Sequence, residues 1–160
     1  MAEIKQQQEL NLDTKVNVKS IAGWAVTFPR YETQGDVNIA PGGSVRLSRS
    51  EIIAQINNNN GLFVGRTDGM GSHATLYIDD KPTRIEVNFE DDKRAQNVFS
   101  ADVVKKVFAA KTQAEFEKQF KSAFITRAEK YAVMQEVKRQ NINDFNKIRF
   151  AEQYTGYKLQ

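Results

Sequence analysis

The sequence predicts an α+β fold: a β-rich N-terminal part, forming a small mixed sheet or barrel with one short helix, followed by three amphipathic helices. Two observations predict it. Apolar residues alternate at period two through much of residues 13–92, and after residue 100 they recur at spacings of three and four. A third observation agrees. Residues 1–100 carry 11 basic and 13 acidic side chains, whereas residues 101–160 carry 12 basic and 7 acidic ones, so composition shifts where the period does.

Residues 1–12 are polar and Gln-rich without a period, and read as a flexible arm. Val16 and Val18 mark a half-buried strand over Lys15–Lys19. Trp24, Val26 and Phe28 alternate, which predicts a strand over Ile21–Phe28 that Pro29 stops or places at an edge. Gly35 turns the chain into a strand with Val37 and Ile39. Pro41, Gly42 and Gly43 turn it again into one with Val45 and Leu47. Ser48, Arg49, Ser50 and Glu51 have the form of a capping box, in which hydroxyl and carboxylate satisfy each other's backbone amides. Ile52, Ile53 and Ile56 form the stripe of the short helix that follows. Asn57–Asn60 and Gly61 end it. Leu62–Val64 is a short apolar run. Gly65, Gly69 and Gly71 mark a hairpin loop before a strand over Ala74–Ile78. Asp79, Asp80, Lys81 and Pro82 read as a turn, and Ile85, Val87 and Phe89 as the last strand.

Ser100 is placed to cap a helix whose face carries Val103, Val104, Val107 and Phe108. Thr112 to Glu115 is a second box-like pattern. It opens one long helix over residues 112–140, with Phe116, Phe120, Ala123, Phe124, Ala128, Tyr131, Met134 and Val137 as its stripe. Asn143 is expected to cap a third helix with Phe145, Ile148, Ala151 and Tyr154, and Gly156 to stop it. The organisation expected is therefore an arm over 1–12, a β-rich domain over 13–92 and a helical region over 93–160.

Composition excludes several classes. The chain has no Cys, so disulfide scaffolds and Cys-ligated metals are out. No run reaches the ~18 apolar residues of a membrane span, and the first residues show no secretory leader. The sole His73 lies by a Gly-rich loop with Ser72 and Asp68, but adjacency does not make a triad, and a hairpin or surface histidine is the better reading. The loop Gly65–Gly71 runs into a strand and carries no Lys, unlike a phosphate-binding loop. Asp79–Asp80 and Glu90–Asp92 lack the alternating ligands of a calcium loop. No catalytic, cofactor or metal residue is assigned, and the expectation is a protein that is not an enzyme and needs no cofactor.

The stretch Val45–Phe63, VRLSRSEIIAQINNNNGLF, resembles small structural proteins of tailed bacteriophages: a β segment runs into a capped short helix, then Asn- and Gly-rich residues. The C-terminal end, with Phe145 and Ile148 leading into residues 151–156, is similar to the closing helix of such proteins. The resemblance implies a virion component of head or tail, made in the host cytoplasm and built into a repeating assembly. It implies no site residues. A stripe of about seven turns is long for a small domain to cover alone, which points to contacts with copies of itself or other virion proteins. Phe120, Phe124, Tyr131, Phe145 and Tyr154 are the expected interface residues. The alternative is a nucleic-acid-binding or host-takeover protein that uses the basic helices, with Lys118, Lys121, Arg127, Lys130, Lys138 and Arg139.

Overall fold

The computed structural model describes residues 10–159. The first nine residues of the expected arm lie outside them. Leu12 and Asn11 are tied down: the Leu12 carbonyl accepts from the Ser50 amide at 3.0 Å and the Asn11 carbonyl from Arg49 Nη1 at 3.1 Å.

The protein is α+β. Strands β1 (Lys15–Ser20), β2 (Val26–Pro29), β3 (Asp36–Ile39) and β4 (Ser44–Ser48) lead into helices α1 (Arg49–Asn57) and α2 (Gly61–Val64). Strand β5 (Leu76–Asp79) and helix α3 (Lys81–Glu86) follow, then α4 (Ala101–Phe108), α5 (Gln113–Ala123), α6 (Arg127–Arg139) and α7 (Phe145–Thr155). The first sheet has the order β4-β1-β5, with both pairings antiparallel and Val18 opposite Val45 on one side and Ile78 on the other. A separate ribbon pairs β2 with β3. Alternation works as read: Val16, Val18 and Ser20 are buried along β1 while Lys15 and Lys19 are exposed.

Two apolar clusters fill the protein. The first joins Val16, Val18, Phe28, Ile39, Leu47, Ile52, Phe63 and Ile78 with Phe89. The second joins Val104, Val107, Phe108, Phe116, Phe120, Phe124, Val133, Met134, Val137 and Ala151. Ala128 of α6 reaches into the first.

Several expectations about the elements need correction. The strand over Ile21–Phe28 shrinks to β2, because Ser20 and Ile21 donate their amides to Gly43 and Thr75 and leave residues 21–25 as a connection. The strand with Ile85, Val87 and Phe89 is helix α3. Asp80 accepts from the Thr83 amide and Pro82 sits in the first turn, where its fixed φ suits a helix. Helical geometry then turns Ile85 outward, 43% exposed, while Phe89 is buried beyond the turn at Asn88.

The long helix over 112–140 is two helices. Phe124 is extended (φ −122°, ψ 94°), and Thr126 starts α6 with a complete capping box to Glu129. The stripe therefore folds back on itself and is covered within the chain. Finally, Asp144 rather than Asn143 caps α7, accepting from the Lys147 amide. Gly156 does close α7, in the left-handed conformation.

At α1 and α5 only half of the box forms. The Ser48 hydroxyl accepts from the Glu51 amide, but the Glu51 carboxylate instead takes the Tyr31 and Glu32 amides and Gln55 Nε2, which fastens the β2–β3 ribbon to α1. At α5 the Thr112 hydroxyl accepts from the Glu115 amide, while the Glu115 carboxylate takes Gln119 Nε2.

Candidate functional site

The seam between the two clusters is built around His73. The loop before it is closed by backbone bonds from Arg66 to Ser72 and from Gly71 to Val64. Gly65 is required there: its φ is +78°, and a Cβ would stand 2.0 Å from the Ser72 carbonyl oxygen. His73 itself has φ +56°, a conformation that histidine tolerates better than most side chains. Its amide donates to the Asn97 carbonyl at 3.1 Å.

The His73 ring reaches α6. Nδ1 lies 2.8 Å from Glu129 Oε2, and both side chains are nearly buried, 8% and 3% exposed. Glu129 Oε1 also accepts from the Ile125 and Thr126 amides at 3.2 and 3.1 Å and from the Thr126 hydroxyl at 3.2 Å. One carboxylate thus closes the helix start and fixes the imidazole. The other ring nitrogen, Nε2, stands 3.4 Å from Asn97 Nδ2. The pair sits between two clefts. A cleft of about 430 Å³ is lined by His73, Trp24, Arg66 and Arg127, and another of about 490 Å³ by Glu129, Asn97, Lys118 and Phe124.

Ser72 and Asp68, near His73 in sequence, do not join it in a triad. The Ser72 hydroxyl donates to Asp68 Oδ2 at 2.8 Å, and Arg94 pairs with the same oxygen at 3.2 Å. Burial pushes the Asp68 carboxyl up, but the Met70 amide, the Ser72 hydroxyl and amide, and Arg94 together hold it below its ordinary value. Asp79 pairs with Lys19 and Glu90 with Arg84, so the acidic clusters are drawn into separate ion pairs. Among the described residues no group of three or more His, Asp or Glu is placed to hold a metal ion.

The five expected interface residues scatter. Phe120 and Phe124 are 0% exposed, which corrects their assignment: their rings are the centre of the second cluster, 4.8 Å apart between centroids. They were legible as part of the stripe, but the folding-back at Phe124 that buries them was not. Tyr131 and Tyr154 are half-buried, and Phe145 at the start of α7 is 74% exposed. Tyr131 packs so close that a Cβ on Gly23 would stand 2.2 Å from its Cε1. The Tyr154 hydroxyl donates to the Phe124 carbonyl at 3.0 Å, on the backbone where α5 ends. Burial, with the nearby Glu129 charge, raises the Tyr154 phenol above its ordinary range.

Two groups of half-buried rings topped by cations, one around Tyr154 and one around Tyr131, form a band along α6, where Lys130 serves the first and Arg127 the second. Phe150 and Tyr154 stack at 6.0 Å with an interplanar angle of 10°. Lys121 stands over Phe150 at 5.7 Å and Lys130 over Tyr154 at 4.8 Å. Tyr131 meets Tyr157 at 5.5 Å and Trp24 at 6.2 Å, each edge to face. Arg127 stands over Trp24 at 4.4 Å and points Nε at the Tyr157 hydroxyl at 3.4 Å. Among the described residues these three cations form no ion pair with a carboxylate, whereas Arg139 pairs with Glu136 and Lys147 with Asp144. Of the basic residues named for the alternative reading, this band gathers Lys121, Arg127 and Lys130. Lys118 lines the cleft beside Glu129 instead.

Sequence reasoning missed Glu129 and Asn97. The one available signal for Glu129 was its spacing from Thr126, which has the capping-box form. No protein-family model matches the chain, and neither curated proteins nor solved structures give a significant match.

Proposed function

We propose that the protein is a non-enzymatic assembly protein that acts by contact with copies of itself inside a larger particle, the phage-virion role that the sequence resemblance implies. Phe145 carries the reading. Its ring is 74% exposed in the first turn of α7, while the other phenylalanines of the helices are buried or half-buried. Burying such a side chain in a contact stabilises it by about 2 kcal/mol. The hydroxyl next to the single histidine is not paired with it, since Ser72 donates to Asp68 instead.

The apolar stripe offers no open face for subunit contact, because α5 and α6 pack it against α4 and α7. The contact therefore rests on a surface ring. Light scattering over a concentration series tests it. Self-association that rises with concentration and weakens in Phe145→Ser supports the reading. A chain that stays monomeric throughout overturns self-assembly.

A further inference from the structure

The band of rings and cations on α5, α6 and α7 is separate from Phe145 and asks for a different partner. Lys121, Arg127 and Lys130 are held by ring faces, which attract a cation without neutralising it. Their charge remains available to an anion. Most acids of the same helices are engaged elsewhere: Glu129 is buried against His73, Glu136 takes Arg139 and Gln140, Glu115 takes Gln119, and Glu152 accepts from the Leu159 amide at 2.9 Å. Glu117 stands four residues before Lys121 on α5 and, among the described residues, forms no ion pair with it. Residues 101–160 carry 12 basic and 7 acidic side chains, and the three cations of the band are not in the ion pairs found among the described residues.

We infer that this face binds single-stranded nucleic acid, with Lys121, Arg127 and Lys130 taking phosphates while bases stack on the half-exposed rings of Phe150, Tyr154 and Trp24. Lysine and arginine stems are flexible, so each cation can swing from its ring to a phosphate and uncover the ring for a base. Neutralisation and stacking then occur together, and this combination is how single strands are held without sequence readout. A duplex hides its base faces and can use only the charges. An acidic peptide would likewise leave the rings idle.

Trp24 is the only tryptophan of the chain and lies in the band, so it reports directly. The probe is an oligothymidylate long enough to span the band, added to the intact protein. Saturable quenching of Trp24 is expected, with log affinity falling against log salt at a slope of about −2, the value for three phosphates on a single strand. The variant Lys121→Gln/Arg127→Gln/Lys130→Gln should lose affinity about tenfold or more at low salt, read by anisotropy of a labelled strand. Lys105→Gln/Lys106→Gln removes charge from exposed positions on α4 and should stay within about twofold of wild type.

Absence of quenching overturns the inference. So does equal affinity for duplex, equal quenching by polyglutamate, or full retention of binding in the triple variant. The wild-type arms decide the matter even if that variant folds poorly. Because Phe145 lies outside the band, Phe145→Ser should bind the oligonucleotide normally, which separates failure here from failure of self-assembly.

Discussion

The two apolar clusters are held together in different ways. The sheet-side cluster is mostly aliphatic, drawn from strands and helices far apart in sequence, and is fastened at its edge by polar ties. Arg49 gives Nε and Nη2 to Asp80 and Nη1 to the Asn11 carbonyl, while Glu51 holds the β2–β3 turn. The helical cluster is richer in rings, with Phe108, Phe116, Phe120 and Phe124 at its centre, and is local. Phe120 alone meets Phe108, Phe116, Phe124, Phe150 and Tyr154 with centroids 4.8 to 6.0 Å apart. Short helices neighbouring in sequence bury little area each, and large rings compensate for that. In the described strands, alternation spreads burial over many β-branched side chains, with Phe28 as their one buried ring.

Phe120→Ala should show this concentration most strongly. Loss of a fully buried Phe costs about 3–5 kcal/mol. Equilibrium denaturation should register it together with a collapse of the near-UV aromatic signal. A cost near that of Ile78→Val, about 1 kcal/mol, would mean that the rings are replaceable and the contrast between clusters false.

On the sheet side the weak point is a polar tie. Asp80 and Arg49 are 24% and 11% exposed at their side chains, so Asp80→Asn should cost about 2 kcal/mol at neutral pH. Burial pushes the Asp80 carboxyl up, but the Thr83 hydroxyl, Arg49 and the Thr83 amide together hold it below its ordinary value. A carboxyl lowered by folding contributes stability above its unfolded pKa and loses it as pH falls through the folded one. Wild type should therefore lose this contribution below about pH 4. The gap between wild type and Asp80→Asn should narrow there, as urea titrations at a series of pH values would show. A gap that is constant down to acid would remove the tie from the account.

The seam joins the clusters through His73 and Glu129. Glu129→Gln keeps the shape and can keep an oxygen on the Ile125 and Thr126 amides, but it removes the charge and puts an NH2 group where Oε2 faces His73 Nδ1, and should cost about 2 kcal/mol. His73→Ala combined with Glu129→Gln should be non-additive by about 1 kcal/mol in a double-mutant cycle. Additive costs would show that the clusters meet without cooperating through this pair.

Much of the fold was legible where the determinants are local. Period two marked β1, β3 and β4, and the hydroxyls of Ser48, Ser100 and Thr112 marked helix starts correctly. The failures are places where a local pattern has two geometric readings. Ile85, Val87 and Phe89 alternate, yet Asp80 and Pro82 start a helix ahead of them. Phe120, Phe124 and Ala128 keep a spacing of four across the break at Phe124, so periodicity alone hides the turn between α5 and α6. The seam was invisible for a different reason. His73 and Glu129 are 56 residues apart, and no pattern of spacing brings such residues together. The ring-and-cation band was hidden likewise, since Trp24 precedes the helices it packs on by a hundred residues.

The smallest effect falls on the residue that separates those two kinds of information. Thr126 is a local signal, part of a Thr-x-x-Glu pattern, and it also supports the non-local pair by donating its hydroxyl to Glu129 Oε1. If it acts only as a cap, Thr126→Ala should cost about 1 kcal/mol, and Thr126→Ser should restore it. If it also orients Glu129 toward His73, the cost of Thr126→Ala should fall by about half or more once His73 is Ala, because the orientation then has nothing left to serve. Thermal or urea denaturation of the four proteins decides between these. We expect the second outcome, since the same Glu129 oxygen accepts from the Thr126 hydroxyl and lies 3.1 Å from His73 Nδ1.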